Sequence, residues 1–112
     1  MRIWVIDDEE GVLNMLGAAL EFHGHEVRAF RDPREVPFDG PEPAPDMVIL
    51  DWTIGGQPAL SWMEQWRLRL TGVRWVVISG DPSVRAKLPA GVGWLDKPFH
   101  LGELAELVNR ES

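Results

Sequence analysis

Four polar positions stand where continuous apolar runs end. Asp7-Asp8 follows residues 3–6, Asp51 follows 47–50, Ser79 follows 75–78, and Asp96-Lys97-Pro98 follows Trp94-Leu95. Continuous, largely β-branched runs of this length suit strands buried on both faces, as in a parallel sheet. The carboxyl ends of such strands lie along one edge, so three carboxylates, a hydroxyl and an ammonium would meet there. Two carboxylates about 4 Å apart repel by roughly 4 kcal/mol at an effective dielectric near 20. A fold that gathers three of them calls for a cation, and oxygen ligands with room for water suit Mg2+. Lys97 adds a point charge and Ser79 a donor, and with Mg2+ these groups suit the oxygens of a transferring phosphoryl group. A central carboxylate can then act as the nucleophile and carry an aspartyl phosphate. Lys97 is one of two lysines against nine arginines, which favours a specific need for a compact ammonium.

Helical patterns lie between the runs. Residues 10–23 carry Val12, Leu13, Leu16, Ala19 and Leu20 at helical spacing, with Gly24 placed to cap. Residues 58–70 repeat Ala59, Met63, Trp66 and Leu70, with Pro58 acceptable in a first turn. Residues 101–110 present Leu101, Leu104, Ala105 and Val108 as a stripe. Residues 25–30 alternate, as an edge strand does. Five prolines between 32 and 45 predict a loop with at most one helical turn near 33–36. Residues 81–88 suit a helix of about two turns, with Asp81 as N-cap and Pro82 first, stopped by Pro89 and Gly91. The alternation predicts an α/β fold: one domain over residues 1–112, a five-stranded parallel sheet, helices on both faces and right-handed crossovers. Ligands then sit at the carboxyl ends of the strands.

Composition narrows the function classes. The chain has 112 residues, no cysteine and a net charge of -7. Without cysteine there is no disulfide scaffold, thiol nucleophile, zinc ribbon or iron–sulfur cluster. The acidic surface argues against direct binding of nucleic acid. No apolar run approaches the roughly 18 residues of a membrane span, and the amino terminus lacks a signal-peptide pattern, so the expected compartment is the cytoplasm.

Together, Asp7-Asp8, Asp51, Ser79 and Lys97-Pro98-Phe99, in this order and context, resemble the receiver domain of two-component response regulators, the CheY-like family, over the whole chain. The resemblance implies the doubly wound, flavodoxin-like strand order 2-1-3-4-5. It implies that Asp51 is the phosphoacceptor, that Asp8 binds Mg2+ directly with Asp7 helping through water, and that the Thr53 backbone carbonyl is a further metal ligand. It implies that Ser79 bonds a phosphoryl oxygen and moves on activation, that Lys97 pairs with the phosphoryl group, that the Lys97-Pro98 peptide is cis, and that Trp94 occupies an aromatic switch position. A histidine kinase or phosphotransfer protein is the implied donor, and slow hydrolysis resets the switch.

The chain departs from the family in three places. The proline-rich segment stands where helix 2 is usual, the stretch before Lys97 is short so that helix 4 should be short or irregular, and Trp-Thr-Ile-Gly-Gly follows Asp51 where a proline four residues on is usual. The resemblance leaves room for a phosphorylation-dependent homodimer, although the altered helix-4 face does not require the usual one. With Glu111-Ser112 closing the last helix, output is expected through a partner protein or, in a longer protein, through a DNA-binding or enzymatic half. Two other readings compete. One is an atypical receiver acting as an interaction module independent of phosphorylation. The other is a phosphatase of the haloacid dehalogenase type, which wants Asp-x-Asp and a substrate cap. The tryptophans other than Trp94 read as packing residues, with Trp52 placed to shield an acyl phosphate, and the scattered histidines carry no site.

Overall fold

The computed structural model describes residues 1–38 and 42–111; the expectation of a loop at 39–41 lies outside them. The elements run β1 (Arg2–Ile6), α1 (Glu10–Phe22), β2 (Glu26–Phe30), a 3-10 turn (Pro33–Glu35), β3 (Met47–Asp51), β4 (Thr53–Ile54), β5 (Gln57–Pro58), α2 (Ala59–Trp66), β6 (Arg74–Ser79), a second 3-10 turn (Pro82–Lys87), β7 (Gly93–Asp96) and α3 (Leu101–Glu111). The main sheet has order β2-β1-β3-β6-β7 and all its pairings are parallel. This is the predicted 2-1-3-4-5 order once the separate β4–β5 hairpin is set aside.

Alternate residues of each central strand feed two cores. Ile3, Val5, Met47, Ile49, Val76 and Ile78 face α1 and α3, joining Leu13, Leu16, Leu20, Leu104, Leu107 and Val108. Trp4, Ile6, Val48, Leu50 and Val77 face the other way, joining Phe30, Val36, Trp62, Met63, Trp66 and Val84. The central strands are thus covered on both sides, which is why they read as continuous apolar runs. Among the described residues, no helix is long and apolar enough to cross a membrane.

Three expectations change in detail. The helix expected over 58–70 ends at Trp66. The amides of Arg69 and Leu70 both donate to the Trp66 carbonyl, at 2.9 Å each, so the one-bond-per-residue ladder stops there. Leu70 is still buried. In α3 the buried stripe is Leu104, Leu107 and Val108, while Leu101 is 51% exposed; it opens the first turn, before the helix reaches the core. Residues 82–87 form a 3-10 turn rather than an α-helix. Asp81 caps it by accepting from the Ser83 amide at 2.9 Å, and Pro82 follows in the first turn.

The β4–β5 hairpin was not expected. Gly55 and Gly56 make its two-residue turn with φ of 60° and 77°, the pair of positive values a type I′ turn demands. The Trp62 indole N–H donates to the Ile54 carbonyl at 2.8 Å and ties the hairpin to α2.

Candidate functional site at the carboxyl edge of the sheet

Ladder-like bonds continue past the strand ends and set the backbone of the site. The Asp7 amide donates to Phe30 O at 3.1 Å, Trp52 N to Ile78 O at 2.7 Å, and Lys97 N to Ser79 O at 2.8 Å. Asp7, Asp51, Ser79 and Lys97 are therefore placed by neighbouring parallel strands rather than by free loops, which favours a precise constellation.

Asp7 is 1% exposed. Its Oδ1 accepts from the Glu9 amide at 2.9 Å, and its Oδ2 lies 3.5 Å from Lys97 Nζ. Asp51 Oδ1 accepts from the Trp52 amide at 3.0 Å and from Lys97 Nζ at 3.3 Å. Its Oδ2 takes no hydrogen bond from the described residues and is left for another partner. Oxygens of Asp7, Asp8 and Asp51 all lie within 4.8 Å of one another. Asp8 is exposed, and the Glu9 carboxylate stands 4.0 Å from Lys97 Nζ at the rim.

The charges respond to this crowding. Burial pushes the Asp7 carboxyl above the usual carboxylate range and the Asp51 charge adds to it, against the Glu9 amide and Lys97. Burial likewise raises Asp51, with Asp8 adding to it and Lys97 and the Trp52 amide opposing. Burial alone would lower Lys97, but Asp51 and Asp7 outweigh it and leave the ammonium above its ordinary value. Three carboxylates and one ammonium leave two negative charges, which a divalent cation would balance. An all-oxygen donor set with an open, solvent-facing member fits Mg2+, which keeps part of its water.

Ser79 is nearly buried, and its hydroxyl is engaged with its own loop. It accepts from the Asp81 amide at 3.0 Å and donates to the Asp81 carbonyl at 3.4 Å. Thr53 pairs with Pro58 across the hairpin, and Pro58 has no N–H to offer the Thr53 carbonyl. The Lys97-Pro98 peptide is cis. Trp94 lies on β7, 42% exposed, apart from the carboxylates. Two cations were missed in the sequence. Arg85 stacks on Trp94 with its Cζ 4.7 Å from the ring centroid, and Lys87 Nζ stands 5.9 Å from the Trp52 ring. No spacing rule links them to their tryptophans, which the fold alone brings near.

No protein-family model matches the chain. The virulence transcriptional regulatory protein PhoP of Salmonella typhimurium is 29% identical over 108 residues, covering 93% of this chain and 48% of PhoP. The chain thus spans about half the length of the curated relatives it matches. Among solved structures, the receiver domain of the hybrid histidine kinase CckA is 26% identical with a TM-score of 0.84, covering 99% of this chain and 98% of that one. The response regulator TrrA of Thermotoga maritima, solved with Mg2+ and beryllofluoride, is 25% identical with a TM-score of 0.83 and coverages of 99% and 98%. Strand order, the sequence relatives and these structures agree: the chain belongs to the response-regulator receiver domains of two-component systems.

Proposed function

We propose that residues 1–112 form one receiver domain that accepts a phosphoryl group on Asp51 and switches conformation in response. The observation that carries this reading is the Lys97 ammonium lying between two part-buried carboxylates, 3.3 Å from Asp51 and 3.5 Å from Asp7, with Asp8 alongside. Asp7, Asp8, Asp51 and the Thr53 carbonyl would hold Mg2+, whose charge offsets that of the incoming phosphoryl oxygens. An Asp51 carboxylate oxygen attacks the phosphorus of a histidine kinase or phosphotransfer protein's phosphohistidine. The N–P bond breaks and the imidazole leaves with the electron pair. Lys97 then pairs with a phosphoryl oxygen, and Ser79 exchanges its Asp81 contact for another. The two states exist beforehand, and the covalent group reweights them. Slow hydrolysis of the acyl phosphate restores the resting state.

The curated relatives named transcriptional regulators suggest that the output reaches transcription, through a segment fused to this domain or through a partner protein. We place the reaction in the cytoplasm, with Mg2+ and kinase at hand.

Thermal unfolding with and without Mg2+ tests the pocket. At 100 times its Kd, Mg2+ should stabilise the fold by about 2.7 kcal/mol, and adding beryllofluoride should raise the melting temperature further in the wild type but not in Asp51→Asn. Melting that ignores Mg2+ would sink the reading and favour an interaction module that works without phosphorylation.

A further inference from the structure

We propose that Arg85 is a latch that holds the resting state by keeping Trp94 on the outside of the sheet edge, and that the Pro82–Lys87 turn carries the signal from Ser79 to this latch. The inference rests on the phosphorylation reading above and adds to it a residue and a direction of control.

Arg85 grips β7 twice. Its guanidinium lies over the Trp94 ring at 4.7 Å, and its Nη2 donates to Asp96 Oδ2 at 2.5 Å. Asp96 is the register partner of Ser79 and the residue before Lys97, so the latch closes beside the phosphoryl-binding groups. On its other side the turn is anchored. Val84 is 2% exposed in the aromatic core, and Lys87 reaches Trp52, the residue after Asp51. A 3-10 helix has about three residues per turn, so Val84 and Lys87 share one side while Arg85 points about a third of a turn away, toward β7. One short element thus touches the neighbour of the phosphoacceptor on one flank and the outer strand on the other.

The link from Ser79 is short. The Asp81 amide donates to Ser79 Oγ at 3.0 Å, and Asp81 Oδ1 accepts from Ser83 N at 2.9 Å. When Ser79 turns to a phosphoryl oxygen, Asp81 loses that partner and the cap of the turn is disturbed. Arg85 sits four residues on from Asp81, on an element held by one buried side chain. Displacing this turn withdraws the guanidinium from Trp94 and Asp96 and frees the indole to repack.

The experiment follows the Trp94 indole N–H resonance in uniformly 15N-labelled protein, free and titrated with beryllofluoride at saturating Mg2+. In free Arg85→Gln this resonance should move toward its position in the beryllofluoride-saturated wild type, and half-saturation should come at roughly three- to tenfold lower beryllofluoride. Asp96→Asn, which keeps the stacking but weakens the ion pair, should shift both in the same direction and by less. Arg110→Gln, an exposed arginine on the same side of α3, should leave both unchanged. A responsive wild type with an unmoved Trp94 resonance and unchanged half-saturation in both Arg85→Gln and Asp96→Asn overturns the latch and leaves the phosphorylation reading standing. A wild type that does not respond to beryllofluoride overturns both.

Discussion

On one face of the main sheet, α1 and α3 lay down Leu13, Leu16, Leu20, Leu104, Leu107 and Val108, an aliphatic layer on regular helices. The other face has an eight-residue helix and two 3-10 turns, and there Trp4, Phe30, Trp62 and Trp66 supply the bulk. The rings pack edge-on or tilted, with centroids 5.8 Å apart for Trp4 and Phe30, 5.5 Å for Phe38 and Trp66, and 5.7 Å for Trp62 and Trp66. Aromatic side chains bury large areas on few residues, so they can cover a sheet where helical backbone is scarce. This choice has a cost, since the buried Trp4 indole N–H has no partner among the described residues. Cations tie down the irregular segments of this face, with Arg28 on Phe30, Arg69 on Phe38, Lys87 on Trp52 and Arg85 on Trp94. Contacts of this kind are each worth about 0.5–1 kcal/mol at exposed sites, weak enough for one modification to break. The comparison teaches that the aliphatic face holds the frame and the aromatic face carries the parts that can switch.

The largest effect expected is on the aromatic face. Trp66→Ala should cost about 3–5 kcal/mol in urea unfolding, and hydrogen exchange should speed up first in the hairpin and β2. Leu16→Ala, costing about 2–5 kcal/mol, should instead loosen α1 and α3. Identical exchange patterns would break the division into two faces.

A smaller effect is expected where the hairpin meets this face. Gly55 has φ +60°, and an added Cβ would stand 3.0 Å from Trp62 Cζ2 and 3.4 Å from Pro33. Gly55→Ala should therefore cost about 1–2 kcal/mol. Gly24→Ala, with φ +89° but open space around it, should cost less by the same measurement.

Acidity separates the site from both faces. Asp7 and Asp51 are raised by burial, so the native state binds their protons more tightly than the unfolded chain does. The stability they contribute is fully present below the unfolded value of 3.8 and is lost as pH rises through their raised folded values. Metal-free Asp51→Asn should thus melt a few degrees above the wild type at pH 7, by roughly the shift of a 1 kcal/mol change. The gap should close on acidification. A wild type that is the more stable at pH 7 without metal would contradict the crowded, metal-seeking pocket.

The smallest effect should come from a cap. Asp32 accepts from the Arg34 amide at 2.9 Å to start the first 3-10 turn. Asp32→Ala should cost about 0.5–1 kcal/mol by urea titration.

The sheet and the acidic site were legible in the sequence for one reason. A strand buried on both faces leaves an unbroken apolar run, and the polar residue that ends it stands out, as Asp51 does after Val48-Ile49-Leu50. The hairpin was not legible. Gly55-Gly56 is a recognised turn pair, but strands of two residues carry no periodicity to confirm it. The exposure of Leu101 and burial of Leu107 depended on where α3 first meets the sheet. The Arg85 and Lys87 contacts join residues from different elements across the molecule's edge, and no local pattern encodes such pairs.

The central claim is that Asp51 accepts the phosphoryl group. It is tested most directly by intact-mass and peptide mass spectrometry after incubation with a phosphohistidine donor. The prediction is a mass gain of one phosphoryl group per chain, mapped to Asp51, dependent on Mg2+ and absent in Asp51→Asn. No gain with a competent donor, or a gain that persists in Asp51→Asn, would contradict it.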